Sequence, residues 1–492
     1  MAFPDPHWLL TPAQTLAADA AFVAAGGDSW DLMQAASNAV ADQLIQHHAP
    51  GPVLVLCGPG NNGADGLVAA AKLRTAGWPV RVCAWPEPIA APNPKQEPDT
   101  DRGRALAAWG EAIPLATTPL PPASYIIDGL FGAGLNRDLD GDTAALVQAV
   151  NAHTAHVISI DMASGIDGAT GAVRGNAITA DQTITFFRPK PGHYLTPGRE
   201  LTGNLSVVQI GLGPNHVARA DQVIAINHPD CWRSEIPSVR HANHKYQRGR
   251  LWILGGPWMT GAAALAAGAG LRAGAGLVGV VAPSGAVPSL RGRERALLIA
   301  EANTVNQWAA CLRKFKPDAL VMGPGLGGLS GIEGFVGVGV KQCSKLVLDA
   351  DALNSFEGNA MGLSKLLPAH AVLTPHVGEF ARLFPDLHGS RIERAQQAAR
   401  LIGAVIVLKG PDTIIAAASG ACLINTRATP ALATAGTGDV LAGIIGAYLA
   451  RGAGAFAAAA AGVYQHGTAA IRADTGETGM IADDLLAHIP PL

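Results

Sequence analysis

Residues 53–84, VLVLCGPGNNGADGLVAAAKLRTAGWPVRVCA, decide the fold of the first half of this chain. An apolar run at Val53–Cys57 enters a loop of glycines and asparagines at Gly58–Gly66, a helix-length segment follows, and a second apolar run closes at Val80–Ala84. Short, continuous apolar runs alternating with helical segments read as parallel strands buried on both faces. The order is that of a Rossmann-like unit, whose ligands collect at the carboxyl edge of the sheet. The glycine loop lies where backbone N–H groups and the positive end of a helix face an anion.

Upstream of this unit, Thr11-Pro12 and Ser29 read as helix starts, and Leu32, Met33, Ala36, Val40, Leu44 and Ile45 recur at helical spacing. Further apolar runs at Tyr125–Asp128, Val157–Asp161, Thr183–Phe187 and Leu205–Ile210 extend a mostly parallel, doubly wound sheet. Asp128 and Asp161 end two of these runs and so reach the ligand edge. Residues 86–103, rich in Pro, Asp and Glu, read as a solvated loop.

The pattern weakens from about Gly213 to His241, among Pro214, Pro229 and Pro237, which places a linker at 214–240 between domains at 1–213 and 241–492. Strand and helix then alternate again through Leu251–Leu254, Ala319–Met322, Leu346–Asp349, Ala371–Leu373, Val405–Lys409 and Ile414–Ala417. A second glycine loop, Ala435-Gly436-Thr437-Gly438-Asp439, opens a helix at Val440–Ala450. Backbone amides there would hold a phosphate while Asp439 takes a hydroxyl proton; an Asp at a helix start also simply stabilises the dipole. Lys409-Gly410-Pro411-Asp412-Thr413 follows a strand and could grip a nucleotide, or Lys409 could be a surface charge. His376 could bond a substrate or cap a helix. The two glycine loops differ in kind, so the halves read as separate domains fused together rather than as a repeat.

Composition sets outer bounds. The 492 residues exceed what one core usually serves, and 15% charged residues with 59 glycines suit a compact enzyme. A net charge of −3 gives no basic field for nucleic acid or anionic membrane. The six cysteines form no CxxC pair, which points to reduced thiols, no structural zinc and a cytoplasmic setting. The Gly/Ala-rich run 261–282 is interrupted by Arg272, and Val440–Ala450 is too short to span a bilayer.

The segments GRLWILGG, TGAAALAAGAGLRAGAGLV, DALVMGPGLG, LDADALN, TPHVGEFARLF, VIVLKGPDTII and ATAGTGDVLAGIIGAYLA, in that order over roughly 240–492, resemble the ADP/ATP-dependent NAD(P)H-hydrate dehydratase family. That resemblance implies a ribokinase-like α/β fold and phosphorylation of the C6 hydroxyl of hydrated nicotinamide, after which phosphate leaves. It also implies that Asp439 deprotonates the hydroxyl, that Ala262, Gly325 and His376 contact the hydrate, and that Lys409, Gly410, Pro411, Asp412, Thr413 and Gly438 bind the nucleotide. ADP is the implied donor, with Mg2+ as counter-charge. The loop Gly255–Ala262 departs from the family by one missing residue and by a Pro where Ser is common.

Over about 8–212 the glycine loop, Asp128–Arg137 (DGLFGAGLNR) and Ser159–Asp167 (SIDMASGID) resemble NAD(P)H-hydrate epimerases. The resemblance implies a K+ site at Asn62, Asp128 and Ser164. It implies dinucleotide contacts from Asn61, Asn62, Gly63, Ala64, Asp65, Gly132, Ala133, Gly134, Leu135, Asn136, Arg137, Asp138 and Asp161. Asp161 and Lys190 would move protons beside C6. Ala64 and Phe187 stand where glycine is usual, and Met162-Ala163 replaces an apolar-Pro pair. If position 64 needs a positive φ, its β-carbon costs about 1 kcal/mol.

Together these resemblances imply a bifunctional cofactor-repair enzyme acting on NADHX, NADPHX and ADP, homo-oligomeric, with no nucleic-acid or membrane partner. Two alternatives stay open. The C-terminal half could stop at phosphorylation, as vitamin-precursor kinases do, and the N-terminal half could serve as a binding module.

Overall fold

The computed structural model of the chain describes residues 3–92, 100–218, 223–238, 244–292, 295–476 and 479–491. The loop read over 86–103 includes 93–99, and the linker read over 214–240 includes 219–222 and 239–240; those residues lie outside the described ones. Two compact units divide the chain, Trp8–Val223 and Ile224–Leu492 together with Met1–His7.

In the N-terminal unit Thr11 caps the helix Pro12–Ala24 through a capping box with Gln14, and Asp28 caps Ser29–His47. Leu32, Met33, Ala36, Val40 and Leu44 of the second helix face the core, as their spacing requires. Six parallel strands follow in the spatial order Val80–Ala84, Val53–Cys57, Tyr125–Gly129, His156–Ile160, Gln182–Phe186 and Asn204–Val208. The chain reverses direction across the sheet between Val53–Cys57 and Tyr125–Gly129, which opens a crevice at their carboxyl ends. Glycine closes that crevice: a β-carbon on Gly58 would lie 1.7 Å from the Leu130 carbonyl oxygen.

Position 64 does not require a positive φ. Ala64 is fully buried within the helix Asn61–Thr75, where alanine is favoured over glycine. Phe187 differs: its φ of 60° is the left-handed conformation in which glycine is unstrained. Its ring is 1% exposed and the Arg188 guanidinium lies over it at 4.4 Å, so aromatic burial of about 3 kcal/mol outweighs a backbone strain of roughly 1–2 kcal/mol.

In the C-terminal unit the strands run in the order Ile224–Ile226, Cys422–Ile424, Ile414–Ala416, Val405–Leu408, His370–Leu373, Lys345–Leu348, Ala319–Met322, Arg250–Leu254, Leu277–Ala282 and Leu298–Glu301. From Val405–Leu408 to Leu298–Glu301 all pairings are parallel, and only Ile414–Ala416 runs against its neighbours. Here the reversal falls between Arg250–Leu254 and Ala319–Met322. A β-carbon on Gly256 would lie 1.9 Å from the Gly325 carbonyl oxygen, so glycine closes this crevice too. The Gly/Ala-rich run forms the helix Thr260–Arg272, then the strand Leu277–Ala282. The helix Thr437–Ala450 packs so closely on Thr260–Arg272 that a β-carbon at Gly443 would sit 2.0 Å from the Ala266 carbonyl oxygen. Among the described residues no helix is long and apolar enough to cross a membrane.

Residues 223–236 correct the linker reading. Ile224–Ile226 pairs with Cys422–Ile424, and the buried Asn227 amide donates to Asn425 Oδ1 (3.1 Å) and the Ala460 carbonyl (2.9 Å). Trp232, 1% exposed, donates its indole N–H to Asn227 Oδ1 at 2.9 Å. Pro229 breaks the pattern because it starts a short 3-10 turn, not because the chain leaves the core.

Candidate active sites

At the crevice of the N-terminal unit, Asp161 follows the strand His156–Ile160 with a φ of 65°, a strained conformation that aims its carboxylate at the loop from the neighbouring strand. Oδ2 accepts from the Ala133 amide at 3.2 Å, while Oδ1 accepts from Thr185 Oγ1 at 3.0 Å and is ion-paired with Lys190 Nζ. Lys190, 1% exposed, also donates to Thr185 Oγ1 at 3.0 Å. Burial pushes the Asp161 carboxyl up, but the Lys190 charge and hydrogen bond outweigh it and hold the group below the usual carboxylate range. His193 fastens the pair: Nδ1 accepts from the Lys190 amide (3.0 Å) and Nε2 meets the Asp161 carbonyl oxygen (2.9 Å). Burial, then the Lys190 charge, drive its imidazole down to about 4, so it is the neutral tautomer that donates to that carbonyl.

Asp128 is fully buried among donors: Ser164 Oγ at 2.6 Å, Ser159 Oγ at 2.8 Å, and the Ser164 and Leu130 amides at 2.9 and 3.2 Å. Asn62 Nδ2 is buried without a hydrogen-bond partner, and a β-carbon on Gly132 would lie 3.2 Å from Asn62 Oδ1 and 3.3 Å from Asp161 Oδ2. Gly132, Ala133, Asn62 and Asp161 are therefore neighbours. Asp65 instead faces Ser37, which donates to it at 3.2 Å, and burial raises its carboxyl well above the usual range. Gly63 lies buried against the Gly58 backbone, and Asn61, Gly134, Asn136, Arg137 and Asp138 are exposed, with Leu135 partly so. Arg102, which the sequence did not single out, donates to the carbonyls of Gly58 (3.1 Å) and Gly60 (3.2 Å) and sets a positive charge beside the glycine loop.

In the C-terminal unit Lys409 and Asp349, which follow the strands Val405–Leu408 and Lys345–Leu348, meet at the start of the helix Thr437–Ala450. Gly436, at a φ of 89°, turns the chain into that helix. A β-carbon on Gly438 would lie 3.3 Å from Lys409 Nζ and 3.8 Å from Asp349 Oδ2. Lys409 pairs with Asp349 at 2.8 Å and approaches Glu379 Oε2 at 4.0 Å. Burial would lower the ammonium, but Asp349, Glu379 and Asp439 raise it above its ordinary value. Asp439 is left with the opposite balance. Burial first, then the Asp349 charge, with Asp351 and Glu379 adding, push its carboxyl up to about 7 against the pull of Lys409.

Gly325, at a φ of 67°, lies against Ala262: its β-carbon would sit 3.1 Å from that of Ala262. His376 caps the helix Val377–Leu383 by accepting from the Gly378 and Glu379 amides at 3.0 and 3.3 Å, and still exposes half its side chain. The Lys409 amide donates to the Pro375 carbonyl at 2.9 Å, tying the two loops together. Gly410 and Thr413 bond each other, Pro411 is exposed, and the buried Asp412 carboxylate is ion-paired with Arg391. Glu379, Asp351, Arg391 and His466 were not singled out in the sequence; all four lie within helices. His466 Nε2 is buried with no hydrogen-bond partner, and burial holds its imidazole down at about 4.

Two family models match the chain: NAD(P)H-hydrate dehydratase over residues 251–491 and the YjeF-related protein N-terminus over 29–192. The bifunctional NAD(P)H-hydrate repair enzyme Nnr of Thermosynechococcus vestitus is 33% identical across 98% of this chain and 97% of its own length. The chain belongs to the family of bifunctional NAD(P)H-hydrate repair enzymes. This repair-family chain is also 33% identical to the Escherichia coli member across 89% of its residues and 84% of that protein. The ADP/ATP-dependent NAD(P)H-hydrate dehydratase of Bacillus subtilis, co-crystallized with ATP/Mg2+, is 28% identical over 54% of this chain and 96% of that one, with a TM-score of 0.48.

Proposed function

We propose that the N-terminal unit interconverts the R and S epimers of hydrated NADH and NADPH, and that the C-terminal unit dehydrates the S epimer with ADP, releasing AMP and phosphate. The observation that carries the reading is Asp439: a carboxyl at about 7, one residue beyond Gly438 and beside Lys409, at a helix start. A base of that strength is half ionised at neutral pH and can take the proton of the C6 hydroxyl as it attacks the terminal phosphorus. Hydroxide is a poor leaving group; the phosphate ester made from it departs readily, pushed by the ring nitrogen. Lys409 and the helix N-terminus offset the nucleotide's negative charge, and Ala262, Gly325 and His376 would position the hydrate. Mg2+ supplies further counter-charge when bound, and the oxygens of Asp349 and Asp351 suit a hard cation.

In the N-terminal unit, inverting C6 requires its tetrahedral geometry to be lost and regained. The ionised Asp161 accepts a proton, and Lys190, hydrogen-bonded to the same oxygen, returns one. For K+ the residues fit: Asn62, Asp128 and Ser164 offer oxygens, and Ser164 Oγ lies 2.6 Å from Asp128 Oδ1, so two of these oxygens already converge. The ion would hold the glycine loop against the Asp128 strand end. Assembly as a homo-oligomer completes the reading.

Mixed NADHX epimers incubated with the protein, ADP and Mg2+ should regain full dihydronicotinamide absorbance with one free phosphate per NADH. A phosphorylated alcohol accumulating in place of phosphate would establish the kinase alternative. If only the S half recovers faster than the hydrate epimerises spontaneously, the N-terminal half acts as a binding module.

A further inference from the structure

Far in sequence from either set of catalytic carboxylates, three metal-binding side chains meet. His7 ends the turn Asp5–His7, while His228 and Asp230 flank the start of the turn Pro229–Cys231. His7 Nε2 lies 2.9 Å from Asp230 Oδ2, and His228 Nδ1 lies 3.2 Å from the same oxygen. The two imidazoles stack at 4.1 Å between centroids with 23° between planes, so both present a ring nitrogen to one carboxylate oxygen from the same side. Among the described residues no other group of three histidine, cysteine, aspartate or glutamate side chains converges so closely, its ligand atoms all lying within 4.8 Å of one another.

Hydrogen bonding alone leaves this arrangement unbalanced. His228 Nδ1 accepts from the Asp230 amide at 3.3 Å, which requires its lone pair, yet the same atom faces a carboxylate oxygen. Lone pair against carboxylate is repulsive unless a cation sits between them. A proton or a metal ion on Nδ1 would each turn that contact attractive, and each would take the lone pair from the Asp230 amide. The spacing suits a metal: ligand atoms about 2.0–2.1 Å from a tetrahedral zinc lie roughly 3.3 Å apart.

We propose that His7, His228 and Asp230 form a binding site for a borderline divalent cation of the zinc, cobalt and nickel class, with a fourth position open to water. Two imidazoles and one carboxylate select such ions over Mg2+, which prefers oxygen ligands. The ion cross-links turns 223 residues apart in sequence. Its role is that of a clamp on the N-terminal turn, distinct from the chemistry at Asp439 and Asp161.

Equilibrium dialysis of the tag-free full chain against Zn2+, with excess Mg2+ present, tests the site. One zinc per chain is expected, with a rise in unfolding temperature on loading, and Co2+ should give the visible absorption of a four-coordinate ion. His7→Ala, His228→Asn and Asp230→Asn should each weaken zinc at least tenfold and abolish the thermal gain, with ADP-dependent recovery of NADH unchanged. His228→Asn keeps a side chain able to cap the turn, so its loss of zinc is not a loss of fold. Absence of that zinc equivalent, its displacement by Mg2+, or its retention in all three variants would overturn the proposal.

Discussion

The two crevices are built alike and tuned apart. In each, a parallel sheet reverses direction, glycine lets two loops touch, and a lysine from a strand end meets a carboxylate. At the N-terminal site Lys190 holds one oxygen of Asp161, and the carboxylate is kept ionised. At the C-terminal site Lys409 is shared among Asp349, Glu379 and Asp439, too many negative charges for one cation. Burial first, and this surplus after it, raise the Asp439 carboxyl to about 7. Burial raises both carboxyls, and the number of carboxylates sharing the lysine decides whether that rise is cancelled, as at Asp161, or kept, as at Asp439.

The largest effects should come from removing the two acids. Asp439→Asn should slow ADP-dependent dehydration by about 10²–10⁴ and leave epimerisation intact, and Asp161→Asn should do the reverse. Separate assays of epimer exchange by NMR and NADH recovery by absorbance distinguish them, and loss of both activities in either variant would break the division of labour. Next in size is Lys190→Met. A buried Asp161 without its partner should cost about 3–5 kcal/mol in denaturant unfolding, as expected for a broken internal ion pair. A cost below about 1 kcal/mol would show that the lysine does not hold Asp161.

Stability should also separate the acids by sign. Because the Asp439 carboxyl is raised from 3.8 to about 7 by folding, its contribution is full below pH 3.8 and is lost as pH climbs through 7. Asp439→Asn should therefore be more stable than the parent by roughly 1–2 kcal/mol at pH 8, an advantage that shrinks toward pH 5. Asp161, held down, works in the opposite sense: its contribution is present above the ordinary carboxylate value and fades on acidification below it. The smallest effect sharpens the sequence comparison. Ala64→Gly should lower stability by about 1 kcal/mol without speeding epimerisation, because position 64 is helical. A faster enzyme would mean that the β-carbon obstructs the dinucleotide.

How much was legible follows from where each residue sits. Val53–Cys57 and Ala319–Met322 were readable to the residue because strands buried on both faces are continuous apolar runs. Leu298–Glu301, at the sheet edge and half exposed, carries no such run, and Leu277–Ala282 is blurred by the Gly/Ala-rich helix before it. Asp161, Lys190, Lys409 and Asp439 stood out at strand ends and a helix start. The competition that sets Asp439 did not, since Asp349, Asp351 and Glu379 come from different loops and helices and only packing brings them to one lysine. Phe187 was visible as a departure; its left-handed backbone, and the buried ring that offsets it, belong to the fold.

The shared-lysine account is tested most directly by the pH dependence of kcat/KM for S-NADHX dehydration at saturating ADP and Mg2+, in the parent and in Asp349→Asn. The parent rate should rise through an apparent pKa near 7. In the variant one repelling charge is gone and Lys409 is released toward Asp439, so the rise should move to lower pH by about one unit or more. A parent profile flat across neutrality, or a rise that stays in place in the variant, would contradict the claim that crowding around Lys409 makes Asp439 a base.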